Sequence, residues 1–582
     1  MENVAGIDFG TTNSVVGAVD PKGVVRPWLY KAPDGPLMRS VLTFLSQNGT
    51  EEAIIGGRAE ELSRDSRAVS FTSWKRRLGE EELQIVDVFG KTMNLVDLTA
   101  IFLGKLVAPL SGGDKLRAVM TVPANAPELQ LQRMRLAAEA ARIDVLGWLK
   151  EPTAAAVAYG IHRNKDVKDG EIFLVLDIGG GTFDVSIVEY SRAFGFRVIT
   201  TRGVEKLGGD DWDLVLARAK AAEYSEQFEQ DCFATDEQGN WINPQAVASL
   251  KAAAEWTKIQ LSAKNTAVLD AQVVIGNDFV DLTSAIDPQV TRAQFEDLTN
   301  HLLERVKEQT LAALNDSDHQ FVPESIHHVV LVGGPTRMPA LRAMVRKLFG
   351  SPVVYDKINP DECVALGAAR YAADLAEGKD TQVVQDVVGA RISLVHHDSQ
   401  GNELRRTLFD RNDPLGGSIE LPFATKEDKA TVRLVQSASD TRSVEKRIAT
   451  VSFKSVGVRR GKLRAEVTGN GEVNLYVAMA DGQRDTDHCK RVETPSDIDL
   501  AHVAQAVDEY VFEYSNRPNR RHEPAIAGST FKMGEVSTQL TTLEASLRPK
   551  QASERPARRE RPPKNKARRY GEKKRQPRGD DE

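Results

Sequence analysis

The sequence predicts an α/β fold of two duplicated lobes, followed by an antiparallel β-sandwich, one helix and a disordered tail. Three observations carry that expectation. Strand-like and helix-like runs alternate through about the first 380 residues. An aspartate-led glycine turn occurs twice within that stretch. After Lys379 the apolar residues switch to a period of two.

At 582 residues the chain exceeds what one hydrophobic core serves, so several domains are expected. Its 41% hydrophobic and 27% charged residues suit a soluble globular protein and exclude a wholly unstructured one. The longest apolar run, Ile101 to Leu110, is broken by Lys105 and too short for a bilayer, so no membrane partner is expected. The start, Met1-Glu2-Asn3-Val4, lacks the basic and apolar order of a signal peptide. Cys232, Cys363 and Cys489 lie too far apart for a metal knuckle or disulfide framework, and a reducing cytoplasm is the expected setting. The net charge of −7 is uneven. Residues 548–582 carry 14 Lys/Arg against 6 Asp/Glu, which leaves the rest of the chain at −15.

In chain order, Glu128 to Arg142 reads as a helix rich in Ala and Leu, and Glu171 to Leu176 as a buried strand. Val432 and Leu434, then Leu463, Ala465 and Val467, then Val473, Leu475 and Val477 alternate with polar neighbours, as half-buried antiparallel strands do. Thr468-Gly469-Asn470-Gly471 supplies a hairpin turn. Ser496 reads as the N-cap of a helix, with Asp499 completing a capping box. Leu500, Val503, Ala504, Val507 and Val511 line one face of that helix, and Pro518 stops it. From Arg548 the composition cannot bury enough surface to fold alone.

The repeated turns carry the chemistry. Val4-Ala5-Gly6-Ile7-Asp8-Phe9-Gly10-Thr11-Thr12-Asn13-Ser14 and Leu174-Val175-Leu176-Asp177-Ile178-Gly179-Gly180-Gly181-Thr182-Phe183-Asp184 each run from an apolar strand to Asp, glycine and threonine. The glycines let backbone N–H groups approach phosphate oxygens, and the threonine hydroxyls add donors. Asp8 and Asp177 suit Mg²⁺ held through its waters. One such turn is more often a plain hairpin; two matching copies point to a nucleotide between duplicated lobes. No G-x-x-x-x-G-K-[ST] loop is present, because Ile85 stands where Gly90-Lys91-Thr92 would need its first glycine.

On these segments the chain resembles the 70-kDa heat-shock chaperones. Ile7 to Ser14, Asp177 to Ser186 and Val329-Val330-Leu331-Val332-Gly333-Gly334-Pro335-Thr336-Arg337-Met338-Pro339 are similar to that family's three signatures, and Glu151-Pro152-Thr153 through Gly160 to a fourth stretch. Leu207 to Asp213 and Asn359-Pro360-Asp361-Glu362 extend the likeness, which is close over about 1–375 and loose over 388–515.

The resemblance implies an actin-like ATPase domain at 1–380, a linker at 381–387, and a substrate-binding-like β-sandwich at 388–494. A truncated lid region at 495–547 and the basic tail at 548–582 follow. It implies an ATP-hydrolysing chaperone of the cytoplasm, using ATP or ADP with Mg²⁺ and K⁺. The implied partners are unfolded or extended polypeptide, a J-domain co-chaperone and a nucleotide-exchange factor. Lys75, in Ser73-Trp74-Lys75-Arg76-Arg77, would act on the γ-phosphate with Asp8, Glu151, Asp177 and Thr182. Gly10, Thr11, Thr12, Asn13, Gly179, Gly180, Gly181, Gly208, Gly209 and Asp210 would hold phosphates. Glu255, Lys258 and Ser262, with Gly333, Gly334, Arg337 and Asp361, would hold the nucleoside. Taken alone, Glu255, Lys258 and Ser262 are simply one polar helix face.

The chain departs from the family at four places. The linker reads Val383-Val384-Gln385-Asp386, Leu131 replaces a signalling arginine, the segment between Lys75 and Pro123 is short, and the lid is reduced. These changes predict weak coupling between nucleotide and peptide sites, with ATP binding retained. The tail, with Arg558-Arg559 and Lys573-Lys574-Arg575, suits RNA or an acidic surface, or else docks on the chain's own acidic body. His327-His328 and His396-His397 are adjacent pairs facing opposite ways on strands, which is poor metal geometry. Two further classes use the same fold: an ATP-binding scaffold without peptide cycling, and a small-molecule kinase. Lys75, Glu151 and the added β-domain speak against the kinase.

Overall fold

The computed structural model describes residues 4–513 except 21–22, 31–33, 48, 64, 112–113, 125, 164–166, 193–194, 237–240, 276–277, 316–319, 351–353, 356–357, 379–386, 389, 398–401, 412, 426–428, 438–444, 455–458, 469–472, 480–489 and 492–497. The linker residues 383–386, the turn at 469–471, Ser496, Cys489, Pro518 and the basic tail therefore lie outside the described residues.

Two sheets repeat one strand order. The first runs Val25–Pro27, Asn13–Val19, Val4–Phe9, Leu116–Val122, Ile143–Lys150, with the short Met38–Arg39 beside Asn13–Val19. The second runs Gly195–Glu205, Thr182–Ser191, Ile172–Ile178, His328–Val332, Val354–Tyr355. In each, the central strand pairs antiparallel with the strand that follows it and parallel with a later one. Asp8 and Asp177 are the penultimate residues of these two central strands. Every residue of Ile172–Ile178 is buried, which is why that strand reads as a continuous apolar run.

The helices Glu151–Arg163 and Cys363–Ala376 lie between the sheets and share a cluster with Val4 and Val119 of one and Phe173, Val175 and Val330 of the other. Their approach depends on small residues. A Cβ on Gly367 would overlap the Ala154 carbonyl, and one on Gly6 would overlap the backbone at Ala369. Cys232 and Cys363 are both buried free thiols. Among the described residues no helix is long and apolar enough to cross a membrane.

Beyond these lie two four-stranded antiparallel sheets, between Arg391 and Arg491. They share one core: Ile392, Leu394 and Leu434 from one sheet meet Leu421, Leu463 and Leu475 from the other. Along Arg459–Val467, buried Leu463, Ala465 and Val467 alternate with Lys462, Arg464 and Glu466, as the period of two predicts. Gln436 of this domain accepts a hydrogen bond from the Glu128 N–H at 3.0 Å, capping the helix Glu128–Ala140 from outside its own lobe.

The last helix departs from expectation in two ways. Its cap is Asp499, not the expected Ser496, which lies outside the described residues. The Asp499 side chain accepts from the N–H groups of Ala501 and His502, and helix Leu500–Val507 starts there because that carboxylate reaches the first free donors. The apolar face does not cover the β-domain. Val503, Val507, Tyr510 and Val511 enter the core of the first lobe, beside Phe44, Phe102 and Leu131. Leu131, at the departed signalling position, is thus an apolar core residue. Tyr510 sits edge-on to Phe44 at 5.0 Å and donates to Glu51 at 2.8 Å, and Arg142 pairs with Asp508 at 3.0 Å. Gly104 leaves the room that Val511 occupies.

Tyr510→Ala should therefore destabilise the first lobe by about 3–5 kcal/mol, read by urea unfolding. An unchanged midpoint would mean that the helix is not part of that core. Burial pulls the Glu51 carboxyl upward, but hydrogen bonds from Lys91 and Tyr510 hold it below its ordinary 4.5. The anchor is accordingly whole above that pH and lost as pH falls through the lower folded value. Amide exchange across residues 501–507 should accelerate in that acid range.

Candidate functional site

A cleft of about 360 Å³ opens at the ends of the two central strands, with both aspartate-led turns on its walls. Every residue singled out for phosphate, metal or nucleoside lines it except Gly181 and Gly208. Those two pack on each other: a Cβ on Gly208 would overlap the backbone of Gly180 and Gly181. Backbone bonds from Gly209 N to Gly179 O (2.9 Å) and from Asp210 N to Gly180 O (2.7 Å) knit the second turn to the helix Gly209–Phe228.

The chemistry sits on the cleft floor. Lys75 is buried, and its ammonium lies 3.3 Å from Glu151 Oε1 and 5.6 Å from the Phe9 ring centre. Asp8 accepts from the Thr121 hydroxyl at 3.0 Å. Loss of water raises the Asp8 carboxyl to about 7, with Glu151 adding to the rise and Lys75 and Thr121 opposing it. Burial also raises Asp177, with Glu151, Asp184 and Asp8 adding to it. One ammonium thus faces several carboxylates at close range, an arrangement short of positive charge.

Thr12 Oγ1 and Arg76 Nε are buried without a hydrogen-bond partner, and both stand at the second glycine turn, where a Cβ on Gly180 or Gly181 would overlap them. Of the two, Thr12 lines the cleft, where a triphosphate laid along its turn would give the hydroxyl a partner. Among the described residues no three His, Cys, Asp or Glu side chains form a ready-made metal cage. Two carboxylates suit Mg²⁺ that arrives on phosphates and keeps its waters.

On the nucleoside side the predicted residues are already engaged. The Lys258 ammonium turns inward, to Asp213 at 2.8 Å and the Gly209 carbonyl at 3.0 Å, while Ser262 donates to the Lys258 carbonyl. Arg337 pairs with Asp361 at 2.7 Å and reaches Asn359 at 2.6 Å. Glu255 receives two hydrogen bonds from Arg39, both 3.0 Å, and Arg39 also holds Glu60. Arg76 pairs with Asp210 at 3.0 Å. Arg39 and Arg76 thereby bridge the two halves of the cleft, and sequence reading missed both. Arg76 hid in a basic run, and nothing local marks Arg39, whose partner Glu255 is 216 residues away. His328 links Tyr159 (2.8 Å) to Glu171 (2.9 Å), and His327 accepts from the Ile172 N–H.

Arg39→Ala should release bound ADP about tenfold faster or more, because a two-bond charge pair across the mouth is lost. Stopped-flow displacement of a fluorescent ADP reads this directly. An unaltered rate would show that the bridge does not gate the cleft.

The chain matches the protein family described as Hsp70 protein over residues 51–521. It is 32% identical over 502 residues to the chaperone protein DnaK of Ureaplasma parvum serovar 3, covering 83% of this chain and 77% of that one. Over 494 residues it is 32% identical to the DnaK of Mycoplasmopsis agalactiae, covering 84% and 78%. With the DnaK of Thermotoga petrophila it shares 33% over 483 residues, covering 80% and 76%.

Proposed function

The chain belongs to the Hsp70 family and is an ATP-dependent chaperone and ATPase, and we propose that its cycle runs on the residues at the floor of this cleft. The observation that carries the reading is the meeting of both aspartate-led turns with the Lys75–Glu151 pair in one cavity. We read the two sheets of equal strand order as the duplicated lobes of an actin-like domain, and the pair of four-stranded sheets as the peptide-binding domain.

Hydrolysis needs the terminal phosphate oriented, its growing charge matched and a water held in line. Lys75 supplies positive charge on the phosphate side, and Glu151 fixes its ammonium while accepting from water. Asp8 and Asp177 would hold Mg²⁺ through its waters, and the ion when bound would supply positive charge to the phosphate oxygens. Thr11, Thr12 and Thr182 donate hydroxyls, and the glycines bring N–H groups close. K⁺ is proposed alongside Mg²⁺. Extended, apolar polypeptide would add as a strand-like segment to the β-domain, with a J-domain protein and an exchange factor as partners in the cytoplasm. The burial of Val503, Val507 and Tyr510 in the first lobe supports weak coupling, since less of the chain is left to close over peptide.

Lys75→Ala should lower single-turnover hydrolysis by about 10²–10³ while nucleotide affinity stays within a few-fold. Wild-type turnover should rise with an unfolded polypeptide and a J-domain protein. Turnover indifferent to both would favour the scaffold.

A further inference from the structure

The turn that carries Lys75 is gripped from behind by a helix to which no role in the reaction is assigned. Residues Trp74–Gly79 form a 3-10 turn entered through Ser73, whose φ of 54° is left-handed for a residue with a side chain. Such turns have poor hydrogen-bond geometry and leave carbonyls free at their ends. Here the carbonyls meet protein instead of water. Arg133, fully buried in the helix Glu128–Ala140, donates from Nη1 to the carbonyls of Leu78 (2.9 Å) and Glu80 (2.6 Å), and from Nη2 to that of Glu81 (3.2 Å). Three residues earlier on the same helix face, Gln130 donates to the carbonyl of Lys75 itself at 3.3 Å. Gly79 permits the approach: a Cβ there would stand 2.9 Å from Pro127 Cγ.

We propose that Arg133 is a positioning residue for ATP hydrolysis, fixing the 74–79 turn so that the Lys75 ammonium is held where the terminal phosphate reacts, with Gln130 as its second point of hold. The inference rests on reading Lys75 as the catalytic lysine. Among the described residues that ammonium has a 3.3 Å ion pair to Glu151, and its other neighbours, the Phe9 ring at 5.6 Å and the two aspartates, hold it less directionally. A strained, short turn does not define its own resting place. A guanidinium that spans three carbonyls does, because its planar fork fixes direction as well as distance. Lysine at 133 would keep the charge and lose the fork.

The test compares Arg133→Lys, Gln130→Met, Lys75→Ala and the double variant Arg133→Lys/Lys75→Ala. Single-turnover hydrolysis, nucleotide titration and thermal unfolding are measured on the full chain. Arg133→Lys should bind nucleotide within about twofold of wild type yet hydrolyse roughly 10–100-fold more slowly, the scale of a small misplacement at a reacting centre. In the Lys75→Ala background it should cost nothing further, because the group it positions is gone. Gln130→Met should show a smaller loss of the same kind. A lowered melting temperature with an unchanged rate per folded molecule would make Arg133 merely structural and overturn the proposal, as would an equal loss in the Lys75→Ala background. If Arg133→Lys does not fold, Gln130→Met decides, and a wild-type rate there overturns the proposal. A wild-type rate in Lys75→Ala would instead expose the reading of Lys75 as the fault, and the positioning role would fall with it.

Discussion

Asp8 and Asp177 sit where water is scarce, and Glu151 lies near enough to push both toward the neutral form. Lys75 brings one positive charge to the group. That imbalance governs the rest of the site. A cleft so short of cations binds best whatever brings metal and phosphate together. The duplicated strand order is the scaffold for this tension. Each sheet carries one carboxylate at the same point of its central strand, and both line the one cleft.

Glycine makes the geometry attainable. Where the second turn meets the loop before the helix Gly209–Phe228, backbone lies against backbone, and Gly180, Gly181 and Gly208 have no room for a side chain. Between the lobes, Gly6 and Gly367 do the same for the helix Cys363–Ala376. That contact is thereby tightly packed, while charge pairs such as Arg39–Glu255 and Arg76–Asp210 join the two sides of the cleft. Packed apolar contacts resist opening at every ionic strength, and partly exposed charge pairs yield to salt and to competing charges.

Much of this was legible in the sequence because it is local. The aspartate, glycines and threonine of each turn are contiguous, so their chemistry could be read before any fold was known. The alternation in Arg459–Val467 likewise told which residues are buried. What could not be read depends on partners far along the chain. Arg39 has no motif, and its meaning comes from Glu255. Lys258 shares a helix face with Glu255 and Ser262, yet the face does not say that its ammonium points back to Asp213. The spacing makes Asp499 the capping-box partner of Ser496, and only the backbone shows that it is itself the cap. The apolar stripe of residues 500–511 announced that something would cover it, and not that the first lobe would.

That last pairing joins the two extremes of the described chain. Residues 498–511 complete a core whose other members, from Ala5 to Ile143, leave the ribosome hundreds of residues sooner. Contacts of such sequence separation form late and slowly. During synthesis the groove over the helix Leu95–Ser111 stays bare until the closing segment emerges, an interval in which an unfinished apolar face invites association. The part of this protein that is made first is the part that is finished last, and a chaperone so constructed itself passes through the kind of exposed state that chaperones bind.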